Sequence, residues 1–370
     1  MSPISIAALK EQAGEKPIAA AVLAQLQHRQ LRTTKTNKPY LELGLADATG
    51  SFSIKIWSDS PAYAAAESLP DGGVTRLQGR WTAGQYGLEA KELELSLPDD
   101  AARDAFFAGD PGIREKQGRD YALIEQLCDS IGDPRLHALC AHFLTSHGER
   151  FRRTAAAKRN HHARRGGLVE HVAQMMRAAA ALCPVYPELN RDLLLTAVLF
   201  HDCGKLWENS YPERGFNQLH SLHGEMLGHI PLGIELVNKL WREVQESAAA
   251  GAWETLMPPT EEARLHLLHL IGSHHGEYQF GSPVLPRTPE AFALHHLDNL
   301  DAKLEMVRDA YALGRELAPG IYDRMFPLQN NLVRPLAGYS PPEKTENQTA
   351  DGPDPAAAGK AEAAESRPPD

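Results

Sequence analysis

The chain has 370 residues, 42% of them hydrophobic, and a formal net charge of −10. That length allows two domains with cores of their own, and the acidic balance excludes nucleic-acid binding by bulk positive charge. No apolar run is long enough to span a bilayer, and the opening MSPISIAALKEQAGEKPIAA lacks the apolar stretch of a secretory signal. Cys128, Cys140, Cys183 and Cys203 form no CxxC pair, so they read as reduced thiols of a cytoplasmic protein.

Residues 1–18 read as a short helical or loose lead-in. From 19 to 98 the pattern is β. Leu41, Leu43 and Leu45 alternate with Tyr40, Glu42 and Gly44. Asp47-Ala48-Thr49-Gly50 supplies a turn, and Phe52, Ile54 and Ile56 alternate on the return strand. Leu77, Gly79 and Trp81 form a third stripe, Gly84-Gln85-Tyr86-Gly87 a hairpin tip, and Leu93, Leu95 and Leu97 a last strand. About five short strands of this kind predict a small closed barrel. Residues 99–120 are polar with Asp, Pro and Gly and read as a linker. Residues 121–330 carry helical periodicity broken at Pro184, Pro187 and Pro258-Pro259, and 192–200 is apolar almost all round, which predicts a buried helix. Residues 337–370 are rich in Pro, Ala, Glu, Lys and Asp and read as a disordered tail.

The 17 histidines concentrate in the second half. There the helical segments carry His171, the pair His201-Asp202, His229, the pair His274-His275 and Asp298. Imidazole with carboxylate suits Mn, Fe, Co, Zn or Ni better than Mg or Ca. A lone buried histidine is more often a core residue than a ligand, and one HD dipeptide arises easily by chance. An ordered series on separate helices is much harder to obtain that way. His220, His223, His266 and His269 lie just before members of the series and read as surface or packing histidines. Cys203 falls on another helix face and reads as packing. From 150 to 165 there are seven Lys or Arg and no acid: Arg150, Arg152, Arg153, Lys158, Arg159, Arg164 and Arg165. A charge run is usually a solvated face, but this one leads straight into His171, so it reads as a phosphate track.

The series resembles the HD-domain metal-dependent phosphohydrolases. Further blocks resemble the YhaM-type 3′→5′ exoribonucleases: Asn160-His161-His162, Gly166-Gly167-Leu168-Val169-Glu170-His171, Leu227-Gly228-His229-Ile230, Ser273-His274-His275-Gly276, the FGSPVLP block at 280–286, and His296 to Lys303. The segment from Lys38 to Trp57 resembles a nucleic-acid-binding OB-fold. The resemblance implies an OB-fold barrel followed by an all-α HD bundle. It implies that His171, His201, Asp202 and Asp298 hold one divalent metal, Mn foremost, and that His229, His274 and His275 hold a second with Asp202 bridging. Asp301 would support the ligands. Catalysis would rest on Asp202, Lys205 and His229, with Lys205 offsetting phosphate charge while a metal-activated water hydrolyses the phosphodiester. Single-stranded RNA, or single-stranded DNA, would meet Tyr40, Lys55, Trp57 and Arg80 on the barrel and Arg159, His162, Arg164 and Arg165 beside the metals. Two alternatives stand: hydrolysis of a small nucleotide or cyclic dinucleotide, and a non-catalytic RNA-binding protein with structural metals. A homo-oligomer is left open.

Overall fold

The computed structural model describes residues 1–34, 36–84, 87–158, 162–218, 220–247 and 253–338. Two units divide the chain, Met1–Val333 and Arg334–Asp370. In the second unit the described residues, 334–338, take no regular structure, and the expected tail from 339 onward lies outside the described residues.

The first unit begins with α1 (Ile6–Gln12), capped by Ser5, which buries Ile6 and Leu9. A five-stranded antiparallel sheet follows: β1 (Ile18–Thr33), β2 (Pro39–Asp47), β3 (Gly50–Trp57), then, after α2 (Tyr63–Ser68), β4 (Val74–Gly84) and β5 (Gly87–Ser96). Its order is β3-β2-β1-β4-β5, and the outer strands β3 and β5 lie against each other. The leucine and isoleucine stripes pair as the alternation demands, with Leu41 opposite Ile56, Leu43 opposite Ile54 and Leu45 opposite Phe52. Asp47 ties the β2–β3 turn by accepting from the Thr49 and Gly50 amides, and its other oxygen accepts from Ile6 N, which seats α1. β1 is the long shared strand. Its first half pairs with β4 and its second half with β2.

The expected linker carries helix: α3 (Asp100–Ala108) and the first half of α4 (Pro111–Asp129). The Asp and Pro residues that suggested a linker are helix-start signals. Asp99 and Asp110 each accept an amide of the first turn, and Pro111 sits where no N–H is needed. The helical part continues with α5 (Pro134–Phe151), α6 (Gly167–Leu182), α7 (Arg191–Phe200), α8 (Lys205–Glu208), α9 (Leu222–Leu227), α10 (His229–Gln245), α11 (Thr260–Ser273) and α12 (Pro289–Leu313). Every residue from Leu193 to Phe200 is buried, because α7 packs against α4, α5, α6, α11 and α12. Three short strands, β6 (Glu316–Ala318), β7 (Ile321–Tyr322) and β8 (Leu332–Val333), form a small second sheet that periodicity does not predict.

Residues 209–218 join sheet to bundle. The Phe216 amide donates to buried Gln25 Oε1 at 2.7 Å, and Asn217 Nδ2 donates to the Leu26 carbonyl at 2.9 Å. Phe216 also meets Phe106 of α3 edge-on.

Far from this joint, Arg135 is 1% exposed. Its guanidinium donates to Asp133 at 2.7 and 3.0 Å and to the Pro258 carbonyl at 2.6 Å. Asp133 also caps α5. Asp133→Ala leaves a buried cation without its counter-ion and is expected to cost about 3 kcal/mol, read by urea unfolding at neutral pH. Burial raises the Asp133 carboxyl, but its bonds to Arg135 outweigh that and hold it below the usual carboxylate range. A lowered folded-state pKa gives stability that is present above the ordinary Asp value of ~4 and is lost as pH falls through the lowered one. The gap between parent and variant should therefore narrow in acid.

Candidate metal centre

Helix ends build this site. α7 is held by its apolar surface, so the residues that follow it, His201 and Asp202, emerge inside the bundle rather than at its surface. His171 comes from the first half of α6, His229 opens α10, His274 and His275 follow α11, and Asp298 lies on α12. The His171 and His201 Nε2 atoms are 3.2 Å apart. Asp202 Oδ2 lies 3.3 Å from His201 Nε2, and Asp298 Oδ1 lies 3.3 Å from His171 Nε2. On the other side, Asp202 Oδ1 lies 3.5 Å from His229 Nε2 and 3.7 Å from His274 Nε2, and His229 Nε2 lies 3.3 Å from His275 Nε2. The two oxygens of one carboxylate thus face two clusters.

All five imidazoles have their Nδ1 occupied. His201 donates to the Val198 carbonyl, His274 to the Ile271 carbonyl and His275 to the Phe280 carbonyl, at 2.7–2.8 Å. His171 donates to Asp301 at 2.7 Å and His229 to Glu208 at 2.9 Å. A carbonyl can only accept, so the proton of His201, His274 and His275 sits on Nδ1 and the Nε2 lone pair points inward. That is how a protein orients metal-binding imidazoles. Asp202 Oδ1 and His274 Nε2 are buried with no hydrogen-bond partner. Such orphaned atoms are costly, and a cation held between them removes the cost. The donor set fits a divalent metal of the Mn-to-Zn series. Among the described residues, three groups of side chains could hold an ion: His171 with His201 and Asp202, His229 with His274 and His275, and His162 with His171 and Asp301. The third uses the Nδ1 edge of His171 that Asp301 occupies, so it serves as support.

The electrostatics agree with this geometry. Burial opposes charge on His171, but Asp298 and Asp301 outweigh it and raise the imidazole to about 9. The same negative potential attracts a metal cation. Burial likewise raises Asp202, but Lys205, His201 and His229 hold it well below the usual range. Burial lowers His274 and His275, which favours the neutral, ligating form. Cys203 is pushed far up by burial, which keeps it a thiol. Its Sγ lies 3.7 Å from the Gly233 carbonyl.

Lys205 lies within the site, with its ammonium 2.5 Å from Asp202 Oδ2. His220 is exposed against Glu225, and His269 accepts from the Arg287 amide. Of the expected RNA contacts beside the metals, three have partners within the protein. His162 is buried and touches Asp301 Oδ2 at 3.1 Å, so it steadies the carboxylate that orients His171. Arg164 spends its guanidinium on buried Glu170, at 2.5 and 3.0 Å. Lys116 and Gln117 also bind Glu170 and help lower its pKa to about 2. Arg165 donates to the carbonyls of Pro212, Glu213 and Gly215. Arg150 and Arg153 do the same for Leu206 and Tyr211, and Arg152 covers the Tyr121 ring. The basic run is therefore largely an internal clamp, because carbonyls left by irregular chain need donors. Arg159, Asn160 and His161 lie outside the described residues. On the sheet, Tyr40 and Trp57 pair across β2 and β3 with centroids 5.1 Å apart, Lys55 lies over Tyr40, and Lys38 lies over Trp57. Arg80 pairs with Lys91 of β5, and Lys91 lines a cavity of about 380 Å³ with Lys55 and Trp57. Sequence reasoning missed Glu208. Its only signal was an acid one helical turn beyond Lys205.

Fold and site together define an HD-domain protein, and the HD domain family model matches residues 168–303. HD domains are metal-dependent phosphohydrolases that bind divalent ions. Across 304 residues the chain is 31% identical to the 3′-5′ exoribonuclease YhaM of Oceanobacillus iheyensis, covering 80% of this chain and 88% of that protein. It is also 31% identical over 295 residues to the 3′-5′ exoribonuclease YhaM of Geobacillus sp., with 79% and 84% covered. The chain belongs to the YhaM exoribonuclease family.

Gly204 sets the spacing between the clusters. A Cβ there would lie 1.9 Å from the His229 carbonyl oxygen, so only glycine lets the turn after Asp202 approach the start of α10. Millimolar Mn is expected to raise the parent's melting temperature, by linkage of about 3 kcal/mol at a hundredfold excess over Kd. In Gly204→Ala and in Asp202→Ala that rise should vanish or shrink to a fraction, read by differential scanning fluorimetry with and without chelator.

Proposed function

We propose that the protein is a metal-dependent 3′→5′ exoribonuclease acting on single-stranded RNA in the cytoplasm. The observation that carries this is the convergence of four Nε2 atoms, those of His171, His201, His229 and His274, on the two oxygens of Asp202, with His275 Nε2 3.3 Å from that of His229 and each imidazole fixed through Nδ1. His171, His201, Asp202 and Asp298 would hold one ion, and His229, His274, His275 and Asp202 a second, Mn being our choice. Such ions supply Lewis acidity and lower the pKa of water enough to make it a nucleophile near neutral pH. The chain's own residues position and neutralise. Asp301, supported by His162, fixes the His171 ring, and Glu208 fixes His229. Lys205 carries the positive charge nearest Asp202 and would offset charge developing on a phosphoryl oxygen.

We assign 19–98 to an OB-fold and 121–330 to the hydrolase domain. The antiparallel order, with β1 shared and β3 against β5, supports the barrel reading. Trp57 is 39% exposed, which leaves part of its ring open to a base. With Tyr40, Lys55 and Arg80 it offers stacking and phosphate contacts suited to a single strand. These local cations reconcile RNA binding with a net charge of −10.

End-labelled RNA incubated with Mn should shorten as a ladder from the 3′ end, and Asp202→Ala should abolish it. Release from nucleotides or cyclic dinucleotides, with RNA left intact, would sink the nuclease reading. Lys205→Ala is expected to lower kcat roughly a hundredfold with metal content unchanged. Trp57→Ala should weaken RNA binding about tenfold, measured by fluorescence anisotropy without Mn.

A further inference from the structure

After α11 the chain makes a 3-10 turn, Tyr278–Phe280, which exposes two large aromatics. Tyr278 is 68% exposed and Phe280 59%. The turn is tightly tied. The Phe280 amide donates to the Glu277 carbonyl and the Gly281 amide to the Tyr278 carbonyl. Gly281 takes the left-handed conformation that closes the turn, and buried Ser282 donates to the Val284 carbonyl at 2.6 Å. On its near side, Gly276 packs against the ring of His295, whose Nδ1 donates to the His274 carbonyl.

The Phe280 carbonyl accepts from His275 Nδ1 at 2.7 Å, while Nε2 of the same ring lies 3.3 Å from His229 Nε2. One imidazole therefore separates the turn from the metal centre. Aromatic rings exposed on a tied turn carry a solvation cost that a ligand removes, and the order of the backbone that bears them precedes binding. A phosphodiester brought to the centre carries a base on its nucleoside, within reach of flanking groups. Every base has an apolar face, and aromatic side chains stack on it without sequence preference.

We propose that Tyr278 and Phe280 stack the unpaired base at the RNA 3′ end and hold the terminal nucleotide against the His275 side of the centre. This rests on the exoribonuclease reading of the same site. It assigns base contact to a turn whose backbone also orients a ligand, so placing the base and placing the phosphate are coupled.

The test compares two RNAs, one with an ordinary 3′ nucleotide and one ending in an abasic ribose. The parent should release the terminal residue at least tenfold faster from the ordinary end. In Tyr278→Ala combined with Phe280→Ala that ratio should fall close to one, through a raised KM on the ordinary RNA. Tyr278→Phe combined with Phe280→Tyr should keep the parent's ratio, which a merely structural role for the turn would not require. Metal content of both variants, by mass spectrometry, should equal the parent's. An alanine variant that keeps the parent's ratio would overturn the inference while leaving the nuclease reading intact. So would an alanine variant with the parent's ratio and a reduced mass by light scattering, which would make the face a contact between copies. A parent that leaves both RNAs whole would overturn the nuclease reading and this inference with it.

Discussion

The site depends on a carboxylate that is buried and used from both sides. Asp202 has a single methylene and follows a fully enclosed helix, so it has little freedom. Its two oxygens cannot move independently, and a cluster built on one fixes where a cluster on the other must lie. Isolated in a protein interior, such a charge would cost several kcal/mol. Lys205 on Oδ2 and the imidazoles on both sides offset that cost and hold the group ionised. The arrangement of α7, α10, α11 and α12 follows from the need to bring these partners within about one ligand's reach of the same two atoms.

Helix termini serve that need economically. The last carbonyls of a helix have no partner within it. His201 and His274 each sit just past a helix, and each Nδ1 donates to the carbonyl three residues back, Val198 or Ile271. One bond thus satisfies a helix end and aims Nε2 at the centre. The same device occurs twice, on α7 and on α11, and places two rings whose centroids are 5.1 Å apart. His171 and His229 sit near helix starts, where loose carbonyls are lacking, and they use Asp301 and Glu208 instead. The kind of support follows from the position of each histidine on its helix.

This logic explains what the sequence disclosed. The histidine and aspartate series was legible because residues that carry chemistry are few and stood in order along the helical part, on or just past five different helices. The β2–β3 hairpin was legible because Leu41, Leu43 and Leu45 alternate strictly and Asp47 to Gly50 turns. β1 was not, because Ala19 to Ala24 is small and apolar without alternation, and the strand is recognised only by its two neighbours. The helices within 99–120 were hidden because Asp and Pro serve both as linker residues and as helix starts. The direction of the arginines was hidden as well. A basic run reads the same whether its guanidinium groups face solvent or close carbonyls, and here Arg150, Arg153 and Arg165 close the carbonyls of Leu206, Tyr211, Pro212, Glu213 and Gly215.

The arginine clamp also ties the site to the sheet. Arg165 and Arg153 hold the segment 211–215, and the next residues, Phe216 and Asn217, bind Gln25 and Leu26 of β1. That segment begins just beyond α8, the short helix that carries Lys205 and Glu208. The sheet is therefore fastened to the element beside the metal centre, rather than tethered by free chain. A cavity of about 650 Å³ opens along this fastening, lined by Ser51, Phe52 and Ser53 of β3 on one side and by Asn217 and Gln218 on the other. The placement of the sheet against the segment beyond α8 therefore depends on the clamp's geometry, which short-range hydrogen bonds set and salt hardly screens.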